Sequence, residues 1–478
     1  YNLSSNKKVL KISSILAILF FIFILFQTQS RGVLIACIIF FISYITLIFR
    51  KLNKKYIIKT VFICLTVLLG GFYIIKSTDR VDALKKEISK SIDYKKSGRF
   101  KLYSSTINLV KDNFLLGVGP GNWSVNIWEY GLYQGAKGVL FAQRPHNDFL
   151  WFFAEGGVFA GISYILIFLI LLRDSYKLSK SDNYKKRKLF SLIFSSILGF
   201  GFISFFDFPI ERISHNIVFL TIVSLIIAEK DYKLNKIASK KIILLAFVLC
   251  LYSINIAKKR YDGDLHTKNA IEFKNNGNWS NLILAINQAY NKTYYDRDNT
   301  STPLLWYRGV AHFNLKNYNL AYKDFKNAYQ VHPYNVHVLN NLGTSYELMK
   351  NSEKAKEFYN KAIKINTTFK ESRINLSAIL FNEKKYEEAL DVILQSKVDN
   401  YLKRKRNFNN NYDKYLKVIV NSWSKSLSNI SKEESKKLEF IVKLFDKDPN
   451  NAEKIMRKLY NFRISNQTTY LNALINEK

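Results

Sequence analysis

Cysteine, methionine and acidic residues are scarce in this chain. Its 478 residues hold three cysteines and two methionines, and 37 acids stand against 72 lysines and arginines, a formal net charge of +35. Cys37, Cys64 and Cys250 each lie inside an apolar run and none shares a CxxC spacing, which argues against a disulfide framework or a thiolate metal site. They read as small buried hydrophobes. The basic surplus lacks the interleaved aromatic platform that would mark a nucleic-acid binder, and its lysines are spread through both halves of the chain. Attraction to anionic head groups or phosphates fits better. There is also no initiator methionine and no signal peptide ahead of Tyr1, so the chain is expected to be a fragment with further spans before residue 1.

What the chain does have is long hydrophobic runs, all in its first half. A bilayer core of about 30 Å needs about 20 apolar residues per helix. The segments 10–27, 33–49, 57–75, 149–172, 189–206, 213–229 and 241–257 meet or approach that length. Three intervening loops are rich in Lys and Arg: 50–55, 173–188 and 230–241. They alternate correctly, so all three can face the cytoplasm at once. The opposite side then receives the 27–32 turn, a long loop over 76–148, the 207–212 turn and everything after 257. That loop carries amphipathic stretches at 81–92 and 99–113, then the glycine-rich Leu115–Asn122, which reads as tight turns.

Residues 258–478 are polar and show an internal repeat. Gly309 and Gly343 are 34 residues apart, as are Ala321 and Ala355, Phe325 and Tyr359, and Ala328 and Ala362; the next step reaches Ser377, Ala389 and Ile393. This period, with Pro333 closing one unit, resembles the tetratricopeptide repeat. Units are expected at 302–335, 336–369 and 370–400, with a degenerate one near 268–292 and further helices over 412–478. The fold class is therefore all-α: a polytopic helical membrane domain (1–257, about seven transmembrane helices) followed by a soluble α-solenoid (258–478). Stacked repeats present a concave face, so the expected role of this part is to bind a partner.

Four polar clusters fall on the outer side. They are Thr28–Gly32 with Arg31, Ser97–Phe100 with Arg99, Arg144–Asp148 with His146 and Asn147, and Asp207–Arg212. A guanidinium matches phosphate oxygens with a planar fork, whereas lysine offers only a point charge. Arginines at separate outer positions, in a chain that prefers lysine, therefore point to a lipid-linked phosphate or diphosphate. His146 is the neighbouring side chain whose ordinary pKa suits proton transfer near neutrality. Glu155, inside the apolar run and two helical turns after Asp148, is either part of the site or a hydrogen-bonding partner for a neighbouring helix. Gly117-Val118-Gly119-Pro120-Gly121 lacks the Lys-Ser/Thr of a phosphate-binding P-loop and reads as a turn.

The order Thr-Gln-Ser-Arg-Gly (28–32), Ser-Gly-Arg-Phe (97–100), Asp-Asn-Phe-Leu-Leu-Gly-Val-Gly-Pro-Gly-Asn (112–122) and Pro-His-Asn-Asp-Phe-Leu (145–150) with Glu155-Gly156-Gly157 resembles the O-antigen ligase family over residues 10–230. That family includes lipopolysaccharide O-antigen ligases, polysaccharide polymerases and protein O-oligosaccharyltransferases. The resemblance implies glycan transfer from an undecaprenyl-diphosphate carrier to an acceptor hydroxyl on lipid A-core, glycan or protein. The reaction would take place at the periplasmic face of the bacterial inner membrane, with no metal or cofactor. It implies that Arg31 and Arg99 hold the diphosphate and that His146 acts as base or positions the acceptor. Arg144 and Arg212 follow on the same phosphate logic, with Asn147, Asp148, Glu155 and Asp207 as support. The rival of another class is a non-enzymatic membrane anchor for a repeat scaffold, in which Arg31, Arg99 and His146 would tolerate substitution.

Overall fold

The computed structural model describes residues 31–49, 98–131, 142–230, 236–367, 369–395, 406–427 and 432–465, with Ser13, Leu16, Phe20 and Ile24. Apart from those four residues, the expected span 10–27 lies outside the described residues, as do the span 57–75 and the part 76–97 of the long loop. Within them the chain is helical, with only two isolated bridges, Asn291 to Tyr295 and Arg297 to Pro303. It divides into two compact units, one of Tyr1–Tyr130 with Ala142–Val248 and one of Gly131–Phe141 with Leu249–Lys478.

The first unit contains α1 (Arg31–Phe49), α2 (Gly98–Asp112), the short α3 (Trp123–Asn126) running into a 3-10 turn (Ile127–Tyr130), α4 (Asp148–Leu178), α5 (Tyr184–Ser204), a 3-10 turn (Pro209–Glu211) and α6 (Ile213–Glu229). From it α7 (Lys236–Asn275) begins. Among the described residues, three helices are long and apolar enough to cross a membrane: Asp148–Leu178, Tyr184–Ser204 and Lys240–Asn275. Gly32–Ile48 and Ile213–Glu229 are shorter apolar helices. Between lipid-embedded helices packing replaces the hydrophobic effect as the driving force, and small residues permit close approach. Ser191, Ser195 and Gly199, one per turn of α5, supply such a face. Ser43 Oγ donates to Ser195 Oγ at 2.9 Å, and a Cβ placed on Gly199 would lie 3.7 Å from the Ala36 carbonyl oxygen. These two contacts make α1 and α5 antiparallel. The Arg31 end of α1 therefore lies at the Ser204 end of α5.

The run 149–172, which reads as one continuous span, is broken. Gly157 adopts φ 68°, ψ −165° inside α4. The limb before it, residues 148–156, folds back on the limb after it, residues 158–178. Phe149 lies 5.5 Å from Phe168 and Phe152 stacks on Tyr164 at 4.2 Å, ring centroid to centroid. In a straight helix those pairs would be about 28 and 18 Å apart. The reversal requires glycine: a Cβ on Gly157 would run into the Leu115 carbonyl, and one on Gly161 would meet the Phe153 ring. Aromatic rings fill the seam, with Phe200 stacked on Phe219 at 4.7 Å and Phe168 against both. At the far end of this bundle the buried carboxylate of Asp174 pairs with Arg173 and Lys230, and Lys186 pairs with Glu229.

The second unit continues with α8 (Trp279–Ala289), α9 (Leu304–Asn314), α10 (Tyr318–Val331), α11 (Val336–Leu348), α12 (Ser352–Ile365), α13 (Lys370–Asn382), α14 (Tyr386–Leu394), α15 (Arg406–Ser426), α16 (Lys432–Leu444) and α17 (Pro449–Ser465). The 34-residue steps mark its core. Ala321, Ala355 and Ala389 are completely buried, as are Phe325, Tyr359 and Ile393. A Cβ on Gly309 would collide with the Phe325 ring, and one on Gly343 with the Tyr359 ring. Glycine in the first helix of each pair thus makes room for the aromatic of the second. At the third step Ser377 replaces glycine, and its hydroxyl donates to the Ala389 carbonyl at 2.9 Å. Asparagine supplies several caps: the side chains of Asn278, Asn335 and Asn351 accept backbone N–H groups at the starts of α8, α11 and α12.

Candidate functional site

The site lies at the start of α4. Asn147 caps that helix by accepting the Leu150 N–H at 3.0 Å. Asp148 follows, fully buried, and its Oδ2 accepts the Ile210 N–H at 3.3 Å. This bond ties the start of α4 to the turn between α5 and α6. His146 stands just before the cap with φ 53°, a left-handed conformation uncommon for a residue with a β-carbon. Its carbonyl accepts the Tyr103 hydroxyl at 2.8 Å, and the same hydroxyl lies 3.1 Å from the Phe205 carbonyl. One phenol from α2 thus fixes the backbone on both sides of the site. Strain of this sort is retained where the surroundings over-determine it.

The imidazole is half-exposed, with its Nδ1 3.8 Å from Asp207 Oδ1. Its ring meets Phe208 edge to face at 5.0 Å. The same phenyl ring carries the guanidinium of Arg144 at 4.7 Å and that of Arg212 at 5.1 Å. Arg144 also pairs with Glu211, and Arg212 pairs with Asp207 at 3.2 Å. Partial burial pushes the His146 pKa below the ordinary histidine value. The charge of Arg99 adds to this, Asp207 opposes it, and Arg144 and Arg212 contribute further in the downward direction. The imidazole is therefore neutral near pH 7 and able to accept a proton, inside a ring of guanidiniums suited to an anion.

Three of the four arginines singled out in the sequence, Arg99, Arg144 and Arg212, are thus gathered around His146. Of Arg31 only the backbone is described, as the first residue of α1, at the end of the bundle where α5 turns into 207–212. Asn147, Asp148 and Asp207 support the same corner. Glu155 is elsewhere, one helical limb away. Its Oε2 accepts the Gly121 N–H at 2.9 Å and its Oε1 the Trp123 N–H at 3.2 Å, so it caps α3 and fastens the glycine-rich loop. That loop is laced onto the bend in α4: Val118 N–H donates to Ala154 O, Gly119 N–H to Glu155 O, and Val158 N–H to Phe114 O. His215 lies apart from this group, its Nδ1 3.3 Å from the Ser214 hydroxyl. Tyr103, Phe208 and Glu211 were not expected at the site. Tyr103 falls four residues after Arg99 on an amphipathic helix, and Phe208 and Glu211 lie within the Asp207–Arg212 cluster, so the spacing held a signal that residue chemistry alone did not single out. No group of three or more His, Cys, Asp or Glu suited to a metal occurs among the described residues.

A histidine and three arginines thus stand together at one end of a bundle of apolar helices. Residues 16–165 match the family model described as O-Antigen ligase, and residues 337–369 match the tetratricopeptide repeat. The chain thus carries a segment similar to the O-antigen ligase family, over about a third of its length, ahead of one similar to the tetratricopeptide repeat. Asp207, Phe208, Glu211 and Arg212 lie beyond the matched segment and are joined to it by the fold. No curated protein matches the chain. Solved structures similar to it include "MamA MSR-1 C2", at 16% identity over 38% of this chain and 95% of that one with a TM-score of 0.29. "Crystal structure of MamA protein" is similar at 13% identity over 41% and 94%, with a TM-score of 0.28.

Proposed function

We propose that the protein transfers a glycan from undecaprenyl diphosphate to an acceptor hydroxyl at the periplasmic face of the inner membrane. The observation that carries this reading is the convergence of Arg99, Arg144 and Arg212 on a neutral, half-exposed His146. The acceptor oxygen attacks the anomeric carbon of the donor sugar, and the bond from that carbon to the diphosphate oxygen breaks. The hydroxyl proton passes to His146, and the negative charge that builds on the departing diphosphate is met by the guanidiniums, with Arg31 as the fourth. Fixed positive groups aimed at developing charge are a main source of catalysis, and here they supply it without a metal. Asp207 steadies the protonated ring. Arg144 and Arg212 rest on Glu211 and Asp207 until the diphosphate competes for them.

The repeat domain, residues 258–478, is assigned to binding the acceptor (lipid A-core, a glycan chain or a protein) or a partner that delivers it. Arg99→Gln tests the anion site. Proteoliposomes containing the variant should bind the lipid-diphosphate-linked glycan at least about tenfold more weakly, a change of about 1.4 kcal/mol. Binding equal to that of the parent protein would remove the arginine clamp from the account.

A further inference from the structure

The glycine-rich loop carries an apolar tip that the chemistry of the site does not use. Phe114, Leu115 and Leu116 are 51, 63 and 80% exposed, the last being the most exposed large hydrophobic side chain among the described residues of the first unit. No charged residue occurs between Asn113 and Trp128. The loop is nonetheless rigidly held. Gly117 N–H donates to Asn113 O at 2.9 Å, Val158 N–H to Phe114 O at 2.8 Å, and Val118 and Gly119 donate to α4 carbonyls. A Cβ on Gly117 would strike the backbone of Glu155. Tight backbone packing thus fixes the tip at the bend of α4.

That position sets its depth. From Gly157 to Arg173 the limb rises about 24 Å at about 1.5 Å per residue, somewhat less than a hydrocarbon core of about 30 Å. With the Arg173, Asp174 and Lys230 charges at one boundary, its Gly157 end falls in the outer part of the opposite leaflet. The exposed residues Phe159, Ile162, Leu166 and Leu169 follow one another on one face of that limb. Phe159 adjoins the residue bonded to Phe114, so the lipid-facing stripe continues onto the loop tip. Irregular backbone at such a depth has to have its polar groups bonded within the protein, and the bonds of Gly117, Val118, Gly119, Gly121 and Trp123 meet that condition.

We propose that Phe114, Leu115 and Leu116 insert at the boundary of head groups and acyl chains, in the leaflet beside the His146 site, as an anchor in lipid. The partner is the bilayer itself. The test attaches an environment-sensitive fluorophore to Leu116→Cys, and separately to Leu115→Cys, in the full chain with Cys37, Cys64 and Cys250 changed to alanine. Lys111→Cys, on the exposed side of α2, serves as the polar reference. In proteoliposomes the two tip labels should be blue-shifted relative to the reference. They should be quenched by lipids with a nitroxide high on the acyl chain and protected from aqueous iodide, with the reference label behaving oppositely. Iodide quenching of the tip labels would place them in water, and protection from both quenchers would place them under protein; either result overturns the proposal.

Discussion

The phenyl ring of Phe208 lies 5.0 Å from the imidazole of His146, edge to face, and the same ring supports the guanidiniums of Arg144 and Arg212. One aromatic side chain thus spaces the imidazole from two guanidiniums. A cation over an aromatic face at a partly exposed site contributes about 0.5–1 kcal/mol. Phe208→Leu should therefore raise the KM for the lipid-linked donor by about 5–30-fold, with two cations affected, while Phe208→Tyr keeps the parent value. Steady-state kinetics in proteoliposomes read the difference, and equal KM values for the two variants would speak against a role for the ring.

The pH dependence of transfer follows from the charges around His146. Its pKa lies below the ordinary histidine value of about 6.5, through burial and then Arg99, with Asp207 pulling the other way. A base works only when neutral, so a lowered pKa keeps the parent protein active below the usual histidine range, and the rate falls at more acid pH. Arg99→Gln removes a cation, raises the pKa and should move the acid limb to higher pH. Asp207→Asn removes the opposing anion and should move it to lower pH. Rate–pH profiles that shift in the same direction for both variants would contradict the assignment.

Much of this was legible in the sequence, for identifiable reasons. The 34-residue steps of glycine, alanine and aromatic residues are local packing rules, and Gly309 against Phe325 and Gly343 against Tyr359 are their direct result. Arg99, Arg144, His146 and Arg212 stood out because arginine and histidine are uncommon beside apolar runs. The reversal of α4 was not legible, because average hydropathy over 149–172 is the same for a straight span and a folded-back one. Its signal was Gly156-Gly157, whose meaning depends on Leu115 arriving from a distant loop. Phe208 was hidden similarly: a phenylalanine at a membrane boundary is ordinary until two arginines are seen on its ring.

The bend itself gives a stability prediction. Gly157 has a positive φ and no room for a Cβ against Leu115. Gly157→Ala should lower the thermal stability of the membrane domain by more than about 1 kcal/mol. Gly32→Ala, where nothing lies within 4 Å of the added carbon, should leave it unchanged. Thermal unfolding of the detergent-solubilised chain would distinguish them.

In the repeats, Lys316, Lys350 and Lys384 have φ 63°, 58° and 64°, each in the turn between paired helices and each 34 residues from the next. The left-handed conformation costs a side-chain-bearing residue about 1–2 kcal/mol, partly offset for glycine by its greater freedom when unfolded. Each Lys→Gly change should stabilise the repeats by up to about 1 kcal/mol. Protection from hydrogen exchange across α9–α14 provides the measurement, and a loss of protection would show that the lysines make compensating contacts.

His332 gives the repeats a pH sensitivity of their own. Burial, aided by the charge of Arg297, lowers its pKa to about 3, while the unfolded chain titrates near 6.5. Between those values the unfolded state binds the extra proton. Stability is therefore full above pH about 6.5 and is lost as pH falls toward about 3, by at most about 1.4 kcal/mol per pH unit. His332→Phe should flatten that slope in thermal melts of the full chain, and an unchanged slope would assign the acid sensitivity to other groups.

The central claim is that His146 takes the proton of the acceptor hydroxyl, and single-turnover glycan transfer in proteoliposomes by His146→Gln measures it most directly. The account predicts unchanged membrane insertion and donor binding, with transfer slowed by about 10²–10⁴-fold. Transfer at the parent rate with an unaltered pH profile would contradict it.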